Sequence, residues 1–178
     1  MALEQLPSVL LVDDEAENLD TFRRVFRKEF AMRLALSGQE AVALMRQNRF
    51  DVALVDYAMP EMNGLELLRR ATTLQPEMAR LMVTAHEAVP AVRQARADGI
   101  MIGVIPKPWN REQVLQAVAT VLQLGRMRAS VQQLTRTLKK LTSGPLGARA
   151  RAAEKRPRLL TKRGRGRSLV RRAWPAVV

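Results

Sequence analysis

The chain of 178 residues contains no cysteine and a single histidine, His86. Without thiols it can form neither disulfide bonds nor thiolate metal sites, and one imidazole argues against a zinc centre. No apolar run approaches the length of a membrane-spanning helix, and the N-terminus lacks the basic start and apolar middle of a secretory signal. These absences predict a soluble, cytoplasmic protein.

Acidic residues are nearly absent from the C-terminal part of the chain, which is why the net charge reaches +13. Residues 1–125 carry 14 Lys/Arg against 16 Asp/Glu, and residues 126–143 add five basic residues and no acidic one. Residues 144–178 have 11 basic residues against one acidic residue. Because 47% of the residues are hydrophobic, wholesale disorder is excluded. The pattern predicts a near-neutral folded domain over 1–125 and a basic C-terminal appendage.

Short apolar runs alternate with amphipathic segments along the first 125 residues. The runs are unbroken and rich in β-branched residues, which is typical of strands buried on both faces of a parallel sheet. We predict strands at about 8–12, 31–36, 51–56, 80–84 and 100–105, and helices at about 15–29, 38–48, 65–74, 89–98 and from 110 onward. Five alternating units of this length predict a three-layer α/β sandwich with right-handed crossovers.

Acidic side chains end two of the predicted strands. Asp13 and Asp14 follow the first apolar run, and Asp56 follows the third. Ligands of open parallel sheets bind just beyond the carboxyl ends of the strands, so we expect these three carboxylates to converge there. They would repel one another unless a cation lay between them, and a hard divalent ion with oxygen ligands, above all Mg²⁺, is the natural occupant. The arrangement points to phosphate chemistry.

Five short motifs follow predicted strands in a fixed order: Asp13-Asp14, Asp56, Met59-Pro60 with Gly64, Thr84-Ala85, and Lys107-Pro108. Over about residues 8–125 this set resembles the receiver domain of bacterial two-component response regulators. The resemblance implies a flavodoxin-like α/β fold whose five-stranded parallel sheet has the order 2-1-3-4-5. It also implies a protein that is not a conventional enzyme, because receivers catalyse only their own phosphorylation and dephosphorylation.

The resemblance assigns roles to the acidic residues. Asp56 is implied to be the phosphoacceptor, a carboxylate nucleophile that attacks the phosphohistidine of a sensor histidine kinase or phosphotransfer protein. Asp14 and Asp56 are implied to hold Mg²⁺ together with the backbone carbonyl of Ala58, while Asp13 acts mainly through a bound water. Each aspartate taken alone is also compatible with an ordinary helix cap.

The remaining motif residues are implied to sense the phosphoryl group. Lys107 supplies a positive charge to a phosphate oxygen, and a cis bond to Pro108, which precedes Trp109, aims the lysine inward. Thr84, followed by Ala85, offers a hydroxyl that turns toward the new phosphoryl group. Phosphorylation then stabilises one of two pre-existing arrangements. Taken singly, the threonine also fits a strand-end hydroxyl, and the lysine a surface position.

Two positions leave the form of the switch open. Val104 stands where many receivers carry a tyrosine or phenylalanine that moves with the threonine, and a valine cannot swing in that way. Coupling would then use something else, such as Trp109 or the helix after it. His86 lies two residues past Thr84, where it could position or exclude the hydrolytic water or simply lie on the surface.

The predicted last helix continues past the domain as a coiled-coil extension over 126–143. Its apolar residues recur at alternating three- and four-residue spacing, at Leu124, Met127, Val131, Leu134, Leu138 and Leu141. This pattern favours a parallel homodimer over packing against the chain's own domain. The Lys107-Pro108-Trp109 triplet before a continuous helix resembles receivers joined to larger output modules.

Residues 144–178 form a basic, low-complexity tail that we predict to be disordered. Three interpretations stay open. The tail could bind nucleic acid through phosphate contacts, contact an acidic membrane or protein, or mark a truncated or frameshifted relative of a larger regulator. The residues at the centre of the nucleic-acid interpretation are Lys162, Arg163, Arg165 and Arg167. The sequence names neither a partner kinase nor an output target.

Overall fold

The computed structural model describes residues 6–85 and 89–143. Over these residues five strands and five helices alternate: β1 Ser8–Val12, α1 Ala16–Phe26, β2 Ala31–Ala35, α2 Gly38–Gln47, β3 Val52–Asp56, α3 Gly64–Leu74, β4 Ala79–Thr84, α4 Pro90–Ala97, β5 Gly103–Pro106 and α5 Arg111–Ser143. His86 and the basic tail lie outside the described residues, so the predictions made for them stay predictions.

All five strands pair in parallel in the order β2-β1-β3-β4-β5, which confirms the expected fold. Every residue of β3 and β4 is buried, as expected for strands covered on both faces. The edge strand β2 differs, because its first four residues alternate between exposed and partly buried and only Ala35 is buried. The register pairs Val12 with Val55 and Thr84 with Pro106, so the carboxyl ends of these strands reach one edge of the sheet.

Two apolar cores lie on the two faces of the sheet, because successive strand residues point to opposite sides. Leu10 and Val12 belong to the core that α2, α3 and α4 cover. Their neighbours Val9 and Leu11 belong to the core covered by α1 and α5. In that second core the helices contribute Leu19, Phe22, Phe26, Val114, Val118 and Val121. The first three recur at helical spacing, which places them on one face of α1.

The fifth strand begins at Gly103, later than the predicted start at residue 100. Gly99 has φ +72°, the left-handed conformation that commonly closes a helix C-terminus. The amide of Ile100 donates to the carbonyl of Ala95, so this stretch completes the end of α4 rather than pairing with β4. Likewise α1 ends at Phe26, and the amides of Glu29 and Phe30 donate back to the Phe26 carbonyl in a turn.

Side-chain caps fix the starts of three helices, and at α3 the Glu66 amide donates to Asn63 Oδ1 at 2.9 Å. At α5 the capping box is reciprocal, since the Gln113 amide donates to Asn110 Oδ1 at 2.9 Å and the Asn110 amide donates to Gln113 Oε1 at 3.2 Å. At α2 the Glu40 amide donates to Ser37 Oγ. The Glu40 carboxylate accepts from the Leu36 amide, whereas in a standard capping box it would accept from the Ser37 amide.

The chain divides into two compact units, Met1–Gln133 and Leu134–Val178, and the sandwich belongs to the first. The apolar residues at three- and four-residue spacing form the predicted coiled-coil seam, and in the first unit its members Met127 and Val131 are 58% and 62% exposed. In the second unit Leu134 and Leu138 are 64% and 61% exposed. These apolar side chains therefore lie in solvent within their own units.

Gly64 should not tolerate even a methyl group. A Cβ at this position would lie 2.0 Å from the main-chain oxygen of Asp56, and backbone would have to move to admit it. We expect Gly64→Ala to lower the free energy of unfolding by ~2–3 kcal/mol in urea denaturation. The matched control is Gly125→Ala on the exposed part of α5, where no described atom lies within 4 Å of the new methyl group. Its higher helix propensity should raise stability by up to ~1 kcal/mol, and equal effects of both changes would contradict the steric explanation.

Candidate functional site

Four strands deliver polar side chains to one edge of the sheet. Asp13 directly follows β1, Asp56 and Thr84 are the last residues of β3 and β4, and Lys107 directly follows β5. The Lys107 amide donates to the Thr84 carbonyl at 3.0 Å, which ties the lysine backbone to the neighbouring strand. The Lys107–Pro108 bond is cis, as the family resemblance implied.

The ammonium of Lys107 joins two aspartates. Its Nζ lies 2.9 Å from Asp13 Oδ2 and 2.6 Å from Asp56 Oδ1. The two carboxylate side chains are only 8% and 9% exposed, whereas the lysine side chain is 26% exposed. One positive charge therefore faces two nearly buried negative charges, and the site keeps an excess of negative charge.

The charge state of Lys107 follows from two opposing effects. Burial lowers the pKa of the ammonium, but the hydrogen bonds and negative charges of Asp56 and Asp13 outweigh it, so the pKa is raised above its usual value of 10.5. The lysine is consequently protonated throughout the physiological range and acts as a fixed cation.

The second oxygen of Asp56 is also engaged. Its Oδ2 accepts a hydrogen bond from the Ala58 amide at 2.7 Å. The loop is held at its other end by the Gly64 amide, which donates to the Tyr57 carbonyl at 3.0 Å. The Asp56 carboxylate is thus fixed by one charged and one neutral donor, at the rim of the sheet.

Asp13 is fixed by donors at the start of α1, from its N-cap residue Glu15 and from Asn18. The Glu15 amide donates to Asp13 Oδ1 at 3.0 Å. The side-chain amide of Asn18 donates to Asp13 Oδ1 at 3.0 Å and Oδ2 at 3.2 Å, and also to Glu15 Oε2 at 3.0 Å. Sequence reasoning missed Asn18. The signal was an asparagine one helical turn after an acidic pair, since such a side chain can reach back to the preceding residues.

The other predicted site residues lie around this centre. Asp14 is exposed, next to the nearly buried Asp13. Thr84 is 1% exposed, Ala85 is exposed and Pro108 is exposed. The basic residues predicted for nucleic acid fall in the tail outside the described ranges.

The donor chemistry suits magnesium. Among the residues that the structure describes, no group of three or more histidine, cysteine or acidic side chains is arranged to hold a metal ion. Asp13 and Asp56 nevertheless have one ammonium to share, and the exposed Asp14 is the next residue in the chain after Asp13. Hard oxygen ligands with uncompensated negative charge are what Mg²⁺ prefers, so the residues present fit this ion.

An aromatic cluster lies directly against the acidic site. The Trp109 ring centroid is 5.2 Å from that of Phe22 and 5.7 Å from that of Phe26. A cavity of about 10 Å³ lies where the cluster meets the charged groups, and its lining includes Asp13, Asn18, Phe22, Asp56, Lys107 and Trp109. Val104 instead packs against the core on the other face of the sheet.

Comparison with known proteins identifies the family. Residues 9–119 match the model of the response regulator receiver domain. The chain belongs to this family. Receiver domains are not conventional enzymes, which agrees with the expectation from sequence. In the part of the chain that the structure describes, no helix combines the length and the hydropathy that a membrane span requires.

Curated relatives extend beyond the matched region. A response regulator receiver protein of Anaeromyxobacter is 43% identical over 102 residues, covering 56% of this chain and 42% of the relative. The alginate biosynthesis transcriptional regulatory protein AlgB of Pseudomonas aeruginosa is 33% identical over 132 residues, covering 74% and 29%. This receiver chain therefore spans less than half the length of these two relatives.

Solved structures share the same fold. A structure described as adenylate cyclase from Rhodopirellula baltica matches with a TM-score of 0.69 and 26% identity, covering 74% of this chain and 98% of that one. A CheY-like receiver domain protein from Methanospirillum hungatei matches with a TM-score of 0.65 and 26% identity, covering 70% and 99%.

Lys107→Met should destabilise this receiver when no divalent ion is present. The change leaves two nearly buried carboxylates without their shared cation, and we expect a loss of ~1–3 kcal/mol at pH 7 in urea denaturation. Because the folded-state pKa of Lys107 is raised, its stabilisation is complete below the unfolded pKa and is lost as pH rises through the folded pKa. The gap between parent and variant should hold up to a pH of about 10 and shrink above it.

The control for this change is Lys28→Met, in the exposed turn after α1. It removes the same charge from the surface and should alter stability by no more than ~0.5 kcal/mol. Equal losses in the two methionine variants would show that the lysine between the aspartates has no special role.

Proposed function

We propose that this receiver accepts a phosphoryl group on Asp56 from the phosphohistidine of a sensor histidine kinase or phosphotransfer protein. The supporting observation is the Asp56 carboxylate itself, nearly buried at the carboxyl edge of the sheet and held between the Lys107 ammonium and the Ala58 amide. A fixed carboxylate with a positive charge beside it can act as a nucleophile toward phosphorus.

Mg²⁺ is the cofactor of the proposed reaction. Asp14, Asp56 and the Ala58 carbonyl would hold it directly, and Asp13 would act through a bound water. When bound, the ion supplies positive charge that offsets the carboxylates and the oxygens of the transferring phosphoryl group.

The transfer itself exchanges one bond for another. A bond forms between an Asp56 oxygen and phosphorus as the phosphorus–nitrogen bond of phosphohistidine breaks, and the imidazole leaves. Lys107 pairs with a phosphate oxygen, and it can do so because its raised pKa keeps the ammonium charged. Thr84, whose carbonyl accepts from the lysine amide, presents its hydroxyl from the adjoining strand end.

The proposed output route runs through Trp109. Val104 is a β-branched side chain packed on the α4 side of the sheet and cannot swing between two positions. Trp109 follows Lys107 by two residues and packs on Phe22 of α1. A change in the lysine contacts on phosphorylation would thus reach α1 and the start of α5 through this ring.

Incubation with acetyl phosphate and Mg²⁺, followed by intact mass measurement, tests the proposal. The parent should gain one phosphoryl group, and Asp56→Asn should gain none. Asp51→Asn is the matched control, because Asp51 is an exposed carboxylate at the other end of β3 that accepts from the Ser8 amide. An adduct that persists in Asp56→Asn, or that is missing from the parent, would refute Asp56 as the phosphoacceptor.

We further propose that residues 1–125 act as the receiver, that 126–143 form a coiled-coil extension, and that 144–178 are a separate basic tail. The extension would form a parallel homodimer that brings two receivers side by side. The support is the exposure of its apolar residues: Met127 and Val131 are each more than half exposed within the unit that contains the sandwich. Burying such side chains in a helix pair removes apolar surface from water.

Val131→Asp should therefore weaken self-association at least ~10-fold, measured by sedimentation of the full chain across protein concentration, because it places a charge within the apolar seam. Ala129→Asp adds the same charge two residues away, at an exposed position outside the three- and four-residue spacing, and should leave association nearly unchanged. A parent that stays monomeric, or equal effects of the two aspartates, would contradict the proposed seam.

A further inference from the structure

We propose that Asn18 is a positioning residue that sets the affinity of the acidic site for Mg²⁺. Its side-chain amide holds the carboxylate of Asp13 on one side and that of Glu15 on the other. The inference deepens the proposed function and rests on it, because it concerns the same ion.

The hydrogen bonds of Asp13 show what Asn18 contributes. Asp13 Oδ1 accepts from the Glu15 amide and from Asn18, while Oδ2 accepts from Lys107 and from Asn18. Among the described residues, Asn18 is thus the one side chain that donates hydrogen bonds to both carboxylate oxygens of Asp13. It fixes the rotation of the carboxylate as well as its position.

The neutrality of the amide is as important as its geometry. Lys107 also holds Asp13, but its charge cancels negative charge that a cation would otherwise meet, and the same ammonium is shared with Asp56. The Asn18 amide donates two hydrogens without adding charge, so it orients the carboxylate and leaves its attraction for a cation intact. If Lys107 turns to a phosphate oxygen, Asn18 and the Glu15 amide remain to hold Asp13.

The second hydrogen of the amide draws another carboxylate toward the site. Glu15 Oε2 lies 3.0 Å from Asn18 Nδ2, although the glutamate is otherwise an exposed residue. Its negative charge adds to the field around Asp13 only weakly, because water screens exposed groups. The main effect of Asn18 therefore falls on Asp13.

Asn18 is itself held on a rigid support. Its backbone amide donates to the Glu15 carbonyl at 3.0 Å, and the next residue, Leu19, is buried in the core. One turn further, Phe22 packs on Trp109. A donor on a packed helix can fix the carboxylate more closely than one on a mobile loop.

Calorimetric titration of the full chain with Mg²⁺ alone tests the inference. Loss of a hydrogen-bond partner around a metal site typically weakens metal binding 10–100-fold, so we expect Asn18→Ala, which frees the carboxylate that would act through a bound water, to raise the Kd for Mg²⁺ by roughly tenfold. Asn18→Gln retains the amide on a longer side chain and should recover part of the affinity. A role confined to helix stability would not produce this order.

Asn48→Ala is the matched control. Asn48 is likewise partly buried, and its side-chain amide donates to the Leu44 carbonyl at 3.1 Å where α2 ends, before β3 begins. The substitution removes a local hydrogen bond and should lower thermal stability without changing the Kd for Mg²⁺. It separates a general loss of stability from loss of the site.

The outcomes are distinct. A parent that does not bind Mg²⁺ would overturn the proposed function and the basis of this inference together. A parent that binds, with an equal Kd in Asn18→Ala, would overturn the inference alone. Should the alanine variant not fold, Asn18→Leu preserves the volume and favours the helix while removing both donors, and the same loss or retention of affinity decides the question.

Discussion

One ammonium between two nearly buried carboxylates is the interaction on which the acidic site depends. Asp13 and Asp56 would repel each other at the edge of the sheet if Lys107 did not lie between them. The lysine is 94 positions from Asp13 in the chain, so no local segment can build this contact. Only parallel strands whose ends coincide bring these residues together. The order of the strands in the sheet therefore determines which charged side chains meet at the site.

The same constraint explains why the polar groups stand where the strands end. Residues within β3 and β4 are buried, so a charged group among them needs hydrogen-bond partners, as Arg80 of β4 has in the carbonyls of Ile100 and Met78. Beyond the ends of the strands, polar side chains from several strands can meet one another, and there the following loops must pass close to them. Gly64 meets that demand, because any side chain at its position would strike the main-chain oxygen of Asp56.

The sequence predicted the parts of this arrangement that have a local cause. The strand ends follow from where apolar runs stop, and the start of α5 follows from the reciprocal pairing of Asn110 with Gln113. The sequence did not predict the late start of β5. Gly99 takes a left-handed conformation, and the amide of Ile100 then donates to the end of α4. The sequence did not predict the role of Asn18 either, since the side chain of an asparagine in a first helical turn usually hydrogen-bonds to its own helix or to water.

Val104 occupies a position where many receivers carry an aromatic residue, and it lies on a different face of the sheet from Trp109. Val104 packs on the face covered by α4, whereas Trp109 packs on the face that α1 and α5 cover. On α1, Asn18 and Phe22 lie one turn apart, so the same helix contacts Asp13 through an amide and Trp109 through a ring. Lys107 is bound to Asp13 and lies two residues before Trp109. In the proposed function, a movement of the lysine would act on α1 both through Asp13 and through Trp109, and the α1–α5 layer would take the role that an aromatic residue in β5 has in many receivers.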